Sequence, residues 1–371
     1  MASSYNLTTE QGLIDYLAAT RRENPRVELL SGGTANYVYR STREDGSTSI
    51  FKHAAPYLHS NSNFAFDPTR MDYEANILAM LSSENRTLLV NPPNTTVHAA
   101  RLLSYDKARK LLEIEDGGSR NLKEAYTDSA LDIPHIGQEL AAWLAALHTS
   151  STAVSLALPD EDKNTENSKS KNNHIAVNIY RYSYNGLHTA LEKFSYAPDL
   201  AHAMNAEFGS LLATDNECVC HGDFWPGNVL VHTHDNTANN AMQLTIADWE
   251  MVRRGTSATD VGQFAAEAFL LDRFRGGRGL RVAFLRAYVA ARGGSEVLGK
   301  TWLRRMLVHC AVHVAFWPVG VQWCDDEGTK RLVDIGVQAL ESIRKDDWER
   351  ALESPLLGGV KEVFLPILDR P

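Results

Sequence analysis

Two patterns of apolar and polar positions divide the chain. Up to about residue 115 the apolar residues come in short β-branched and aromatic runs separated by glycine and aspartate. Asn36 to Thr42 and Thr48 to His53 read as strands joined at Glu44-Asp45-Gly46-Ser47, whose Asp-Gly step is a hairpin signal, and Lys110 to Glu115 reads as a third. Beyond the break at Asp116-Gly117-Gly118 the apolar residues recur every three or four positions. Ile136, Leu140, Trp143, Leu144 and Leu147 mark a helix over His135 to His148, and Leu332, Ile335, Ala339, Leu340 and Ile343 mark one over Lys330 to Arg344. Gly262 onward, Leu280 to Arg292 and Thr301 to Trp317 read as further helices. His148, at a helix end, reads as a capping or core histidine. The expected fold class is α+β, with an N-terminal lobe (1–116) of antiparallel strands plus one helix and a larger, mainly helical lobe (117–371). Pro159 to Asn173 has almost no apolar residue and is expected to be a disordered excursion between helices.

The helix of the first lobe is expected to open with Asp67 as N-cap and Pro68 at its first position and to run through Glu84. Its apolar stripe is Met71, Ile77, Leu78 and Leu81. Glu74 falls on that same face, so periodicity places a carboxylate where the helix is buried, and a buried acid requires a cation. Lys52 is the economical partner. Its strand returns antiparallel to the segment that follows Gly32 and Gly33, where missing side chains let backbone N–H groups approach phosphate oxygens.

The densest chemistry lies at Cys220-His221-Gly222-Asp223-Phe224-Trp225-Pro226-Gly227-Asn228. Pro226 and Gly227 exclude helix, so Asp223 and Asn228 can turn to one side. Val229 to His232 and Gln243 to Ile246 read as a hairpin around the polar turn His234 to Ala241, which returns Asp248 to the neighbourhood of Asn228. An amide and a carboxylate beside a third oxygen-bearing side chain suit Mg²⁺, leaving Asp223 free for an acceptor hydroxyl. This is the division of labour of phosphoryl-transfer sites, in which the metal, a phosphate-holding Lys and its Glu partner recur.

Taken in order, the glycine turn at 31–35, Lys52, Glu74, the break after Glu115, His221-Gly222-Asp223-x4-Asn228 and Asp248-Trp249-Glu250 resemble the aminoglycoside phosphotransferase and choline kinase group. These are small-molecule kinases with a bilobal, protein-kinase-like fold. The resemblance implies ATP and Mg²⁺ as cofactors, Asp223 as catalytic base, and Asn228 and Asp248 as metal ligands. It further implies that Gly32, Gly33, Lys52 and Glu74 set the nucleotide phosphates, that Asp260 braces the catalytic loop and that His221 supports it. An adenine docked at the break would meet the carbonyl of Glu115 and the amide of Gly117, with Ile114 facing the cleft. Lys52-His53-Ala54-Ala55-Pro56-Tyr57 is also similar to part of the methylthioribose kinases, although Asn228 stands where that branch is expected to have Ser. Asp248-Trp249-Glu250 and the short interval to Asp260 depart from protein kinases and leave no peptide platform. The acceptor is therefore expected to be a small polar metabolite, aminoglycoside or choline-like molecule, bound near Trp317, Trp323, Asp325 and Asp326, whose rings and charges could hold a cation.

Composition narrows the alternatives. A net charge of −9 without a basic run argues against nucleic acid, and no segment has the length and apolarity of a membrane span. Four cysteines without framework spacing suit a reducing, cytoplasmic compartment. Cys218-x-Cys220-His221 lacks a fourth ligand at zinc-site spacing. A nucleotide-binding module without turnover is usually marked by a missing Lys, base or metal ligand, and none is missing. A metal-dependent hydrolase would leave Lys52 and Glu74 without a task.

Overall fold

Strands buried on both faces need two covers, and the central strands of the first sheet receive both. The computed structural model describes residues 5–31, 33–82, 96–158, 172–233 and 242–370. Helix α1 (Glu10–Arg21) precedes β1 (Arg26–Leu29), β2 (Tyr37–Thr42) and β3 (Thr48–His53); after the small pair β4 (Tyr57–Leu58) and β5 (Asn61–Ala65) come α2 (Arg70–Leu81), β6 (Val97–Ala99), β7 (Leu102–Asp106) and β8 (Leu111–Glu115). Five strands form an antiparallel sheet in the order β1-β2-β3-β8-β7. Tyr39, Phe51 and Leu111 pack with Leu13 and Leu17 of α1 in one core. Ile50, Leu112 and Ile114 belong to the main core, together with Met71, Ile77 and Leu78 of α2. Lys52 alternates with Phe51 and pairs in register with Leu112, so it shares the second face.

The remainder begins with β9 (Arg120–Asn121), α3 (Leu122–Ala125), α4 (Ile133–Ser150), α5 (His174–Tyr180), α6 (Tyr182–Glu192) and α7 (Asp199–Met204). Strands β10 (Cys218–Cys220), β11 (Val229–Thr233), β12 (Met242–Ile246) and β13 (Arg253–Gly255) follow, then helices α8 (Ser257–Phe274), α9 (Leu280–Ala291), α10 (Lys300–Phe316) and α11 (Asp326–Arg344). Helix α4 packs on α9, and α10 packs between α8 and α11. Trp143, Phe224, Phe264, Phe284 and Trp249 are fully buried where these helices meet the hairpin β11–β12. That hairpin lies in a second sheet of order β6-β12-β11-β9, with β6 parallel to β12. The chain is thus an α+β protein with an antiparallel N-terminal sheet and a helical C-terminal region. Among the described residues, no helix is long and apolar enough to cross a membrane.

Three expectations change at their edges. Helix α2 starts at Arg70 because Asp67 accepts from the Thr69 N–H at 2.8 Å and the Pro68 carbonyl accepts from Met71, which makes 67–69 a turn ahead of the helix. Glu84 lies outside the described residues. Of the expected excursion, 159–171 also lies outside them, but Asn172 and Asn173 are ordered. Asn172 donates to the Arg254 carbonyl at 2.8 Å, and buried Asn173 both donates to the Val252 carbonyl and caps α5. Helix α11 begins at Asp326, four residues before the expected Lys330.

Candidate active site

The loop between β10 and β11 is held by its backbone as much as by its side chains. Gly222 has φ +85°, and a Cβ there would come within 1.8 Å of the Met251 carbonyl, so only glycine fits. Asp260, at the start of α8 and fully buried, accepts from the N–H groups of His221 (2.7 Å) and Gly222 (3.1 Å), while its Oδ2 meets His148 Nε2 at 3.2 Å. Burial opposes its charge, but the bond from His148 and neighbouring cations hold its pKa below the ordinary carboxylate value. His148 is thereby a core histidine, its Nδ1 bonded to the Tyr288 hydroxyl. It lies beside Cys218 and Cys220, yet both ring nitrogens are engaged and cannot ligate a metal in this arrangement.

His221 joins the loop to the hairpin. Its Nε2 lies 3.1 Å from the Ala247 carbonyl and its Nδ1 3.2 Å from the Asp223 N–H, which fixes the neutral tautomer with the proton on Nε2. Burial lowers its pKa to about 4. The Ala247 N–H in turn donates to the Asn228 carbonyl, so Asn228 and Asp248 sit side by side at the hairpin base, as the returning-strand reading requires. Asp248 has φ +66°, a conformation uncommon for a residue with a side chain and tolerated best by Asn and Asp.

Asp223 is partly exposed, and both of its carboxylate oxygens are aligned. Gln263 Nε2 donates to Oδ1 at 2.6 Å, and Asn228 Nδ2 donates to Oδ2 at 2.9 Å. The Tyr180 hydroxyl donates to Gln263 Oε1 at 3.2 Å and fixes that amide. Burial and the nearby Asp248 carboxylate raise Asp223 to about 7, against the lowering effect of these bonds. Asn228 Nδ2 also donates to the Asp223 carbonyl at 3.0 Å, so its amide nitrogen faces Asp223 and its oxygen is turned the other way. That orientation fits an oxygen-seeking cation between Asn228 and Asp248.

Across the cleft, Lys52 Nζ lies 2.8 Å from both oxygens of fully buried Glu74 and 2.7 Å from Asp248 Oδ1. Burial works to lower the lysine's pKa, and the carboxylates of Asp248, Glu74 and Glu250 override it and raise it. Glu74 Oε1 also accepts from the Trp249 N–H at 3.3 Å. A second buried cluster stands behind this one. Arg70, wholly inaccessible, donates from Nε to Glu250 at 3.0 Å and from Nη2 to Asn36 Oδ1 at 2.9 Å, while Asn36 Nδ2 donates to the same Glu250 oxygen at 2.8 Å. Three segments, namely the residues after Gly33, helix α2 and the turn after Asp248, are tied by three side chains.

The remaining expected residues divide. Gly33 lies exposed ahead of β2, and Gly32 is outside the described residues. Glu115 donates its N–H to the Arg101 carbonyl, and its carboxylate is held by His98 at 2.8 Å and by the Arg101 N–H. Gly117 packs so closely on the hairpin that a Cβ would meet Thr245 at 2.8 Å and Leu230 at 2.9 Å. Ile114 is buried on the same sheet face as Lys52. The acidic residues of the acceptor expectation lie at a helix start. Asp325 is the N-cap of α11, accepting from the Gly328 N–H at 2.7 Å, and Asp326 is exposed in its first turn. Trp323 does face a cation, but it is the chain's own: Lys123 Nζ lies 4.6 Å from the centre of the Trp323 ring and 5.0 Å from that of Trp225. Trp317 is partly exposed against His313 and Tyr182.

Sequence reasoning did not single out Gln263, Arg70, Asn36 or Lys123. Gln263 lies three residues after Asp260 on α8 and so shares its face, but the helix read from the sequence began only at Gly262, which hid the relation.

A profile of the phosphotransferase enzyme family matches residues 26–304. The chain belongs to that family. It is a small-molecule kinase, and the aminoglycoside phosphotransferase and choline kinase resemblance holds. Two relatives are 4-hydroxytryptamine kinases, from Psilocybe cyanescens (25% identical) and Psilocybe cubensis (24%), each aligned over 95% of this chain and 98% of its own length. A solved ethanolamine kinase from Plasmodium vivax, 12% identical, covers 90% of this chain and 89% of its own with a TM-score of 0.49.

Proposed function

We propose that this phosphotransferase is an ATP- and Mg²⁺-dependent kinase that phosphorylates the hydroxyl of a small, amine-bearing aromatic acceptor of the hydroxytryptamine kind. The observation that carries the reading is the alignment of Asp223: both carboxylate oxygens are held by amide donors, beside Asn228 and Asp248 and across from the Lys52–Glu74 pair. The acceptor class is suggested by relatives aligned over nearly their whole length.

In this reading Asp223 accepts the proton of the acceptor hydroxyl, and Gln263 and Asn228 keep its carboxylate in the attacking plane. Lys52, steadied by Glu74, would hold nucleotide phosphates, and the glycine turn at Gly32 and Gly33 would let backbone N–H groups approach them. Asn228 and Asp248 would hold Mg²⁺, which when bound neutralises phosphate charge. Glu115 and Gly117 would border the adenine, within a nucleotide lobe over 1–116. His221 and Asp260 hold the loop and touch no reactant. Positioning and electrostatics then supply most of the rate.

The test is ADP release by the purified chain with ATP, Mg²⁺ and a panel of hydroxylated metabolites that includes 4-hydroxytryptamine, choline and an aminoglycoside. The expected outcome is acceptor-dependent turnover, strongest with the hydroxylated aromatic amine and lost in D223A. Turnover with choline or the aminoglycoside alone would overturn the acceptor class, and none with any member would overturn the kinase reading.

A further inference from the structure

The hydrogen bond that aligns the base comes from α8, and the same helix face carries a second acid. Gln263 reaches Asp223 at 2.6 Å, and Glu267 lies one turn further along. Glu267 is 7% exposed. Its Oε1 meets His313 Nε2 at 2.7 Å, and its Oε2 has no hydrogen-bond partner among the described residues. A buried carboxylate oxygen left unpaired is costly, so such an atom calls for a donor. The surroundings are aromatic: the His313 ring is 6.0 Å from that of Trp317, which is 6.1 Å from Tyr182, and both Trp317 and Tyr182 reach the surface.

We infer that Glu267, oriented by His313, is the anchor for the protonated amine of the acceptor. The inference rests on the kinase reading above and makes it more specific. Residues four apart on a helix are separated by about 6 Å along its axis, so Gln263 and Glu267 act as a ruler. The acceptor hydroxyl sits at the Asp223 end and the ammonium at the Glu267 end. The ruler selects molecules whose hydroxyl and ammonium are about one helical turn apart, carried on a flat body that packs beside Trp317 and Tyr182. Larger polyamino sugars do not need this spacing, and a hydroxylated aromatic without an amine leaves Glu267 unanswered.

The experiment compares 4-hydroxytryptamine with 4-hydroxyindole, which lacks the aminoethyl arm, in the wild-type chain and in E267Q. Gln keeps the shape and can still accept from His313, and thermal unfolding checks that the variant is folded. The wild type is expected to favour the amine in kcat/KM by roughly 10- to 100-fold, the range of a charge-assisted hydrogen bond. E267Q should bring that ratio close to one, mainly through the KM of the amine, with the KM for ATP unmoved. A ratio unchanged in E267Q overturns the inference while the kinase reading stands. Absence of turnover with either acceptor in the wild type is instead a failure of the proposed acceptor class. Independently of turnover and of the variant's folding, tryptamine should bind the wild-type chain by calorimetry at least tenfold more tightly than indole, within the same range. Equal affinities would overturn the anchor.

Discussion

The two sides of the site differ in how their charges are answered. On the side proposed for the nucleotide, Lys52, Glu74 and Asp248 interlock, and Arg70, Glu250 and Asn36 form a second layer joined to one another at 2.8 to 3.0 Å. On the side proposed for the acceptor, one Glu267 oxygen has no hydrogen-bond partner among the described residues and aromatic rings reach the surface. The phosphates of a nucleoside triphosphate are the same whichever acceptor is used, so a rigid, pre-paired array would serve that side. An acceptor varies, and its pocket is assembled from helices whose main constraint is to pack. Chemistry therefore resides where side chains are mutually fixed, and selectivity where a partner is still to come.

The sharpest way to break this contrast is at the base. D223A should lower kcat by about 10²- to 10⁴-fold while leaving nucleotide affinity within a few-fold, whereas D248A should weaken nucleotide binding as well. Fluorescent-nucleotide titration beside steady-state kinetics separates them, and equal nucleotide loss in both variants would erase the distinction in roles. Next comes the first ion-pair layer. E74A removes the bidentate partner of Lys52 but leaves it Asp248, and should cost less in urea unfolding than the roughly 3–5 kcal/mol of an uncompensated buried charge. K52M should lower turnover more than stability, and the double variant K52M/E74A should be less damaging than the sum of the single ones. In the layer behind, R70M should raise the KM for nucleotide while sparing that for the acceptor, because Arg70 fixes the segment after Gly33 through Asn36. An acceptor effect of similar size would mean that the two sides are not separable. The smallest effect belongs to D325A, expected to destabilise by about 1 kcal/mol through loss of the α11 cap and to leave acceptor kinetics unchanged.

What could be read from the chain follows the same division. Lys52 and Glu74 were legible because an acid on an apolar stripe demands a cation and few candidates lay nearby. The loop from His221 to Asn228 was legible because proline and glycine fix its backbone and a hairpin returns Asp248 to it. Arg70 was not, since its partner Glu250 is 180 positions away and nothing local distinguishes it from a solvated helix-start arginine. Trp323 illustrates the converse. A ring that binds a cation was anticipated, but the cation came from Lys123, and no periodicity links the two. Asp325 and Asp326 were ambiguous because an acidic run beside tryptophans and a capped helix start have the same sequence, and the capping bond from the Gly328 N–H appears only in the fold.

The sheet that carries Asn228 and Asp248 has a mechanical meaning. Strand β6, which leads into β7 and β8, lies along β12, and strand β9, which follows β8, lies along β11. The strand hairpin β7–β8 is thus threaded out of one edge of the hairpin β11–β12 and back into the other. A rocking of the N-terminal sheet would load both edges together, and backbone hydrogen bonds would pass that load to the strand ends that carry Asn228 and Asp248.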